Sequence, residues 1–230
     1  MRRTRFKICC IASVEEALLA VRYGASAVGL VSAMPSGPGP IDEALIARIV
    51  PHVPPGVATF LLTCRQEPER IIAQQWRTRA NTIQLCDSVE PTVYSKLREA
   101  LPGISLVQVI HVRDESSIAD AIAAAPQVDA ILLDSGNQSL AVKELGGTGR
   151  VHDWSLSARI VRSVPRPVFL AGGLNPDNAA AAIEQVGPYG LDVCSGLRTD
   201  GKLDESKLAA FVRAIESADR SLSEPPPPPT

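Results

Sequence analysis

The sequence predicts a single (β/α)8 barrel, and three observations lead to this fold class. Eight short apolar runs alternate with helical segments along a chain of 230 residues. The runs lack the polar alternation of half-exposed strands, which is typical of parallel strands buried on both faces. Eight such repeats in a chain of this length favour a closed barrel over an open sheet. The main alternative is a doubly wound sheet, but no GxGxxG segment follows the first strand.

The first four strand and helix pairs occupy the N-terminal half of the chain. Strands are predicted at 6–11, 27–31, 57–62 and 82–85, and helices at 13–23, 42–50, 68–78 and 91–101. Ser13 can cap the first helix, with Glu16 at the capping-box position, and Gly24 ends that helix. A loop rich in glycine and proline, at 32–40, follows the second strand.

The last four pairs follow with one long interruption, the loop at 134–154. Strands are predicted at 105–112, 130–133, 168–171 and 191–194, and helices at 116–125, 157–164, 179–186 and 205–218. Asn178 or Asp177 can cap the seventh helix. We therefore expect one barrel domain at 1–218 and a tail at 219–230. The tail ends in a run of prolines that cannot pack a core, so it should be disordered or polyproline-like.

Composition and charge exclude several classes of protein. The net charge of −2 argues against a nucleic-acid surface, which would need an excess of basic residues. No apolar run approaches the length of a membrane span, and the first residues lack a secretory signal, so we expect a cytoplasmic protein without a membrane partner. The five cysteines have no CxxC spacing, so we expect neither a disulfide framework nor a metal site, and no cofactor. We expect a monomer or a homodimer.

Two small-residue turns follow consecutive strands near the C-terminus. Gly172-Gly173 ends the seventh predicted strand, and Ser195-Gly196 ends the eighth. At the carboxyl end of a parallel strand, glycine lets backbone N–H groups approach a ligand closely, and a following helix N-terminus favours an anion. Either turn alone could simply be a tight turn closed by glycine. The two together predict a phosphate site.

Cys9 and Asp134 carry side chains suited to proton transfer at the same end of the barrel. A thiol near a bound ion can act as a base, and the apolar residues before Asp134 would raise the pKa of its carboxyl, as suits an acid. Taken alone, Cys9 fits a small buried hydrophobic residue better, and Asp134 fits a helix cap equally well. Beside a phosphate site, the two predict a phosphosugar isomerase. Cys10 should point toward the helices, because successive strand residues face opposite ways.

The ordered set of motifs resembles the phosphoribosylanthranilate isomerase family of tryptophan biosynthesis, over essentially the whole chain up to the tail. The matching segments are KIC at 7–9, GA at 24–25, GLV at 29–31, IQL at 83–85, LLDS at 132–135, GGTGR at 146–150, DW at 153–154, LAGGLNP at 170–176 with Asn178, and DVCSG at 192–196. The GGTG and DW loop followed by LAGGLNP is the most specific part of the resemblance.

The resemblance implies an Amadori rearrangement, in which an acid opens the ribose ring and a base removes a proton from C2 of the resulting iminium. Cys9 would be the base and Asp134 the acid. The backbone at Gly172, Gly173, Ser195 and Gly196 would hold the substrate phosphate, Asp192 would line the pocket near the sugar, and Lys7 would belong to the same cluster.

Three positions depart from the family pattern. Pro38 stands where the family has the arginine of an S-P-R segment that binds the anthranilate carboxylate, Cys86 replaces the usual histidine, and Arg198 replaces an acidic residue. Arg198, Arg150 and Arg65 are candidate substitutes for the missing cation. These departures leave two alternatives open: an isomerase of another phosphosugar, and a phosphate-ligand-binding protein without catalysis.

Overall fold

The computed structural model describes residues 3–136, 145 and 151–223. Within these ranges, eight parallel strands form one closed barrel, in which each strand pairs with the next and the eighth pairs with the first. The strands are β1 (Arg5–Ile8), β2 (Ala27–Val31), β3 (Ala58–Thr63), β4 (Thr82–Leu85), β5 (Ser105–His111), β6 (Ala130–Asp134), β7 (Val168–Leu170) and β8 (Gly190–Val193). The predicted (β/α)8 barrel is confirmed.

A helix follows each strand. The helices are α1 (Val14–Arg22), α2 (Glu43–Ile49), α3 (Pro68–Thr78), α4 (Pro91–Ala100), α5 (Ser116–Ala124), α6 (Trp154–Ser163), α7 (Ala179–Val186) and α8 (Glu205–Ser221). Polar side chains cap several of them, as predicted for α1, where the Ser13 hydroxyl accepts a hydrogen bond from the Glu16 backbone N–H at 3.2 Å. No helix in the described part of the chain is long and apolar enough to cross a membrane.

Several boundaries differ from the sequence prediction. β1 ends at Ile8 rather than at 11, α6 begins at Trp154 rather than at 157, and α8 ends at Ser221 rather than at 218. A two-stranded antiparallel pair, β9 (Arg198–Thr199) and β10 (Lys202–Leu203), was not predicted, because two-residue strands carry no periodicity. Residues 224–230 of the expected tail and the GGTGR segment at 146–150 lie outside the described residues.

The strands divide the core into two layers, one between the strands and the helices and one inside the barrel. Ile8, Ile131 and Leu191 face outward and pack beneath the helices, whereas alternate residues of the same strands face the interior of the barrel. Phe60 and Phe169 fill part of that interior, with their rings edge to face and their centroids 6.0 Å apart. The aromatic pair forms an apolar floor, so polar interior side chains gather toward the carboxyl ends of the strands.

Candidate active site at the carboxyl ends of the strands

The carboxyl ends of the strands surround a cavity of about 680 Å³, counted with its opening to solvent. Six of the eight predicted site residues line it, namely Cys9, Asp134, Gly172, Gly173, Asp192 and Ser195. Lys7 and Gly196 are not part of the lining, but Lys7 contacts Asp192 and Gly196 follows Ser195. Closure of the barrel between β1 and β8 therefore brings residues from both ends of the chain to one site.

Lys7 and Asp192 form a buried ion pair beneath the cavity. They are paired in register across β1 and β8, and the Lys7 ammonium donates to both Asp192 carboxylate oxygens at 2.9 Å. The Lys7 side chain is 0% exposed and that of Asp192 is 7% exposed. Burial by itself would lower the pKa of Lys7, but Asp192 and the neighbouring Cys9 together raise it above its ordinary value. Lys7 therefore remains a cation inside the barrel.

The Cys9 thiol lies beside the Lys7 ammonium, one residue beyond the end of β1, and faces the barrel interior as Lys7 does. Both side chains pass over Gly29 of β2, where an added Cβ would lie 2.8 Å from the Cys9 Sγ and 2.9 Å from the Lys7 Nζ. Glycine at this position therefore makes room for the pair. Burial raises the pKa of Cys9 to about 11, and the adjacent Lys7 charge acts in the opposite direction. The positive neighbour favours the thiolate, which is the form that accepts a proton.

Asp134 is the last residue of β6 and lies on the same interior face as Ala130 and Leu132. Burial raises the pKa of its carboxyl, while a hydrogen bond from the Ser135 backbone N–H at 2.7 Å and the nearby His111 oppose that rise. A carboxyl group with a raised pKa holds its proton to higher pH, so Asp134 is suited to donate one. Asp134 and Cys9 face the same cavity, one as a candidate acid and the other as a candidate base.

The two glycine turns lie side by side at the ends of β7 and β8. Gly172 and Gly173 adopt φ values of 85° and 64°, in the left-handed region that favours glycine. An added Cβ at Gly196 would lie 2.0 Å from the Leu174 carbonyl oxygen, so only glycine lets the second turn pack against the first. This close packing presents both turns to one side of the cavity, as a single phosphate site would require.

Asn178 supports the first turn instead of capping α7. It precedes the helix, but its side chain makes no cap hydrogen bond there. Its amide donates to the Gly173 carbonyl at 3.0 Å, and its oxygen accepts from the Asn175 N–H at 2.9 Å. The predicted capping role of Asn178 is therefore wrong, because the turn itself supplies better-placed partners.

Arg198 cannot act as the substitute cation for a ligand in this conformation. Its side chain is 9% exposed and pairs with Glu16 at 3.0 Å, and its guanidinium also donates to the carbonyl groups of Cys9 and Cys10. Arg198 thus holds the loop after β1. Arg65 lies after β3 and pairs with Glu43 at 3.3 Å, while Arg150 lies outside the described residues.

The structure contains a disulfide that sequence reasoning missed. Cys10 and Cys194 are bonded, with their Cα atoms 5.9 Å apart, and Cys9, Cys64 and Cys86 lie outside the bond. The expected outward orientation of Cys10 is also wrong. β1 ends at Ile8 and Cys10 adopts a φ of 61°, so the alternation of strand side chains no longer applies to it. Both bonded cysteines line the cavity. Sequence spacing gave no signal, since 184 positions separate them.

The remaining departures from the family pattern also lie at the cavity. Pro38 lines it together with Ser36 and Gly37 of the loop after β2. Cys86 lines it from the end of β4, and burial raises the pKa of its thiol above the ordinary value. None of the described residues that line the cavity is a lysine or an arginine.

The chain matches the family model described as N-(5′-phosphoribosyl)anthranilate isomerase over residues 6–214. It is 38% identical to N-(5′-phosphoribosyl)anthranilate isomerase 2 of Methanosarcina mazei over 215 residues, which cover 93% of this chain and 94% of that protein. The enzyme of Methanocella arvoryzae is 35% identical over 213 residues, with coverage of 92% and 98%.

Solved structures of the same family share the fold. The phosphoribosylanthranilate isomerase of Thermotoga maritima superposes with a TM-score of 0.77 at 31% identity, covering 93% of this chain and 99% of that one. A second structure, in complex with reduced 1-(o-carboxyphenylamino)-1-deoxyribulose 5-phosphate, gives a TM-score of 0.75 at 30% identity, with the same coverage. From its family-model match, its relatives and its fold, this chain belongs to the N-(5′-phosphoribosyl)anthranilate isomerase family.

Proposed function

We propose that this chain catalyses the Amadori rearrangement of N-(5′-phosphoribosyl)anthranilate in tryptophan biosynthesis, with Asp134 as general acid and Cys9 as general base. The observation that carries the proposal is the shared cavity. One acid candidate, one base candidate and two glycine turns suited to phosphate surround a single cavity that opens to solvent. A phosphate-ligand-binding protein without catalysis would use the two turns but neither the acid nor the base.

The geometry fits the two proton transfers of this reaction. Asp134 donates a proton to the ribose ring oxygen, the C1–O bond breaks, and the ring opens to an iminium ion. Cys9 then takes the proton from C2, and the electrons of that C–H bond neutralise the iminium nitrogen to give an enolamine. Tautomerisation of the enolamine yields the 1-deoxyribulose 5-phosphate product. Each group changes its protonation state once, in the direction that its role requires.

The backbone turns at Gly172-Gly173 and Ser195-Gly196 bind the substrate phosphate on the β7 and β8 side in this proposal. This places the sugar over Asp192, whose carboxylate is held by Lys7. Lys7 itself is fully covered, so it acts on the substrate through Asp192 and Cys9 rather than by direct contact. The anthranilate ring then extends toward the loop that contains Pro38.

Turnover of N-(5′-phosphoribosyl)anthranilate by the purified chain tests the proposal. We expect activity with this substrate and growth without tryptophan when the chain is expressed in an auxotroph that lacks this isomerase. If the protein binds a phosphosugar but neither converts this substrate nor supports growth, the cavity serves a different phosphorylated ligand. That second candidate function is favoured by one observation, the absence of a lysine or arginine from the described cavity lining.

The substitution Pro38→Arg is expected to lower KM about tenfold with little change in kcat, the gain of one charge-assisted contact. The anthranilate carboxylate of the substrate lies far from the bonds that change. Its contact with the new arginine is therefore made equally in the ground state and the transition state. Gly37 should be left unchanged, because its φ of 95° is closed to proline. Steady-state kinetics of the wild type, Pro38→Arg and the neutral control Pro38→Gln provide the measurement.

An unchanged KM in Pro38→Arg would mean that another cation already holds the carboxylate. Arg65→Ala is then the next variant to make, because Arg65 follows the carboxyl end of β3. Its partner Glu43 keeps hydrogen bonds from Arg77 and Gln74 if Arg65 turns away. Arg198 is already committed to Glu16 and to the loop after β1.

The proposal also includes the broader organisation of the protein. We infer one barrel domain that runs to Ser221, the end of α8, rather than to 218, because buried Asp219 accepts hydrogen bonds from Thr4, and a tail after it. We also infer that the protein acts in the cytoplasm as a monomer or a homodimer. A dimeric phosphoribosylanthranilate isomerase is known from Thermotoga maritima, which supports the homodimer as one of the two states. Light scattering of the purified chain distinguishes them.

A further inference from the structure

We propose that the Cys10–Cys194 disulfide is a redox-dependent clamp that positions the Ser195-Gly196 turn against the loop after β1, which begins with Cys9. The inference rests on the proposed function, because it assigns phosphate binding to that turn. The proposed function gives the two cysteines no role. Here they act as positioning residues, and reduction of their bond weakens the binding of phosphate-bearing ligands.

The bond lies where the barrel closes between its first and last strands. The Cys9 backbone N–H donates to the Val193 carbonyl at 2.8 Å, which continues the β1–β8 ladder one step beyond β1. Cys10 follows Cys9 and Cys194 follows Val193, and the Cα separation of 5.9 Å between the two cysteines suits a disulfide. The covalent link thus begins where the backbone pairing ends. Cys10 adjoins the proposed base, and Cys194 adjoins the proposed phosphate turn.

Cys10 is held in a backbone conformation that favours glycine. Its φ of 61° lies in the left-handed region. This conformation strains the backbone of any residue other than glycine, so it persists only where surrounding contacts hold it. The bond to Cys194 and the hydrogen bond from Arg198 to its carbonyl both help to hold it there. Without the disulfide, the hydrogen bonds from Arg198 and from the Ile11 N–H to the Gly29 carbonyl remain, but no covalent link joins Cys10 to the end of β8.

The loop after β2 packs directly on Cys10. An added Cβ at Gly39 would lie 2.6 Å from the Cys10 Cβ, and the Pro38 carbonyl oxygen lies 3.6 Å from the Cys10 Sγ. Cys10 therefore joins three loops that line the cavity, those after β1, β2 and β8. A movement of Cys10 on reduction would be transmitted to the phosphate turn through Cys194 and to the Pro38 loop through Gly39.

The redox step is a two-electron exchange with an external dithiol, such as dithiothreitol. The dithiol gives up two electrons and two protons, the Cys10–Cys194 bond breaks to give two thiols, and the dithiol closes to its own disulfide. An external disulfide such as oxidised glutathione supplies the reverse reaction. Both cysteines line the cavity, so these small reagents have a route to the bond.

The test compares the oxidised and reduced wild-type protein with the double variant Cys10→Ala/Cys194→Ala. Thiol titration of the oxidised protein in denaturant without reductant should give three thiols, and titration of the reduced protein should give five. Reduction should raise the KM for N-(5′-phosphoribosyl)anthranilate and the inhibition constant of inorganic phosphate roughly five- to tenfold, the size of a modest loss of binding. The kcat should stay within about twofold, since a looser phosphate turn weakens uniform binding.

The double variant should show the reduced-state KM and no response to dithiothreitol, whereas the control Cys64→Ala should respond like the wild type. Reduced wild-type protein gives the same comparison without any substitution, so the test does not depend on the variant folding. Five titratable thiols in the oxidised protein, or equal phosphate inhibition of the two redox forms, would overturn the clamp and leave the isomerase proposal intact. Loss of phosphate inhibition in both forms, by contrast, would overturn the phosphate site and the clamp together.

Discussion

The variants Asp134→Asn and Cys9→Ser are each expected to lower kcat by roughly 10² or more, the scale of general acid and general base contributions. Asparagine keeps the shape of the Asp134 side chain but has no proton to give to the ring oxygen. Serine keeps the position of the Cys9 side chain but is a far weaker acid, so it does not form the anion that takes the C2 proton. Steady-state kinetics with N-(5′-phosphoribosyl)anthranilate provide the measurement.

Cys64→Ser is the matched control and should leave kcat within a few-fold. Cys10→Ser does not serve as a control, because Cys10 lies in the disulfide and on the cavity wall. A variant of Cys9 or Asp134 that retains near wild-type kcat would remove that residue from the mechanism.

The pKa directions of the two groups add an expectation for the pH profile. In the proposed mechanism the active form has Asp134 protonated and Cys9 ionised, although Cys9, with its pKa of about 11, is the weaker acid of the two. Between the two pKa values, each unit of pH that increases the thiolate tenfold decreases the protonated carboxyl tenfold. We therefore expect kcat/KM of the free enzyme to stay level in this range, to fall below the pKa of Asp134 and to fall above that of Cys9.

The substitution Lys7→Met is expected to cost about 3–5 kcal/mol of the free energy of unfolding, because it leaves the buried Asp192 charge without its partner. It should also raise the pKa of Cys9 further, since the Lys7 charge is the main influence that lowers it. Activity should therefore fall more than binding of a phosphosugar does. Urea denaturation measures the first effect, and the pH dependence of Cys9 alkylation measures the second.

The double variant Lys7→Met/Asp192→Leu separates the ion pair from the packing at these positions. Removing both charges should recover much of the stability lost in Lys7→Met, because no isolated charge then remains buried. Activity should stay low, since the thiolate still lacks its cation. A Lys7→Met protein within about 1 kcal/mol of the wild type would mean that the cation contributes little to the fold.

Much of the fold and part of the candidate site follow from local sequence. Eight apolar runs separated by helical segments suffice for a closed parallel barrel, because strands covered on both faces must be apolar throughout. The positions of Cys9, Asp134 and the two glycine turns at strand ends place them on one rim, since parallel strands share a carboxyl end. These features depend on the order of residues within single strands and turns, which a sequence displays directly.

The tertiary structure alone decided which of these residues meet. Lys7 and Asp192 are 185 positions apart, and their ion pair forms because β1 pairs with β8 when the barrel closes. The same closure brings Cys10 to Cys194, while the early end of β1 turns Cys10 away from the face that strand alternation predicts. Arg198 stands in the sequence where the family pattern has an acidic residue, and no neighbouring residue indicates its partner. In the fold it pairs with Glu16 and donates to two carbonyl groups. Sequence periodicity describes which face a side chain takes within a strand. Contacts between distant strands, and the orientation of residues beyond a strand's end, are set by the closed barrel and the loops packed upon it.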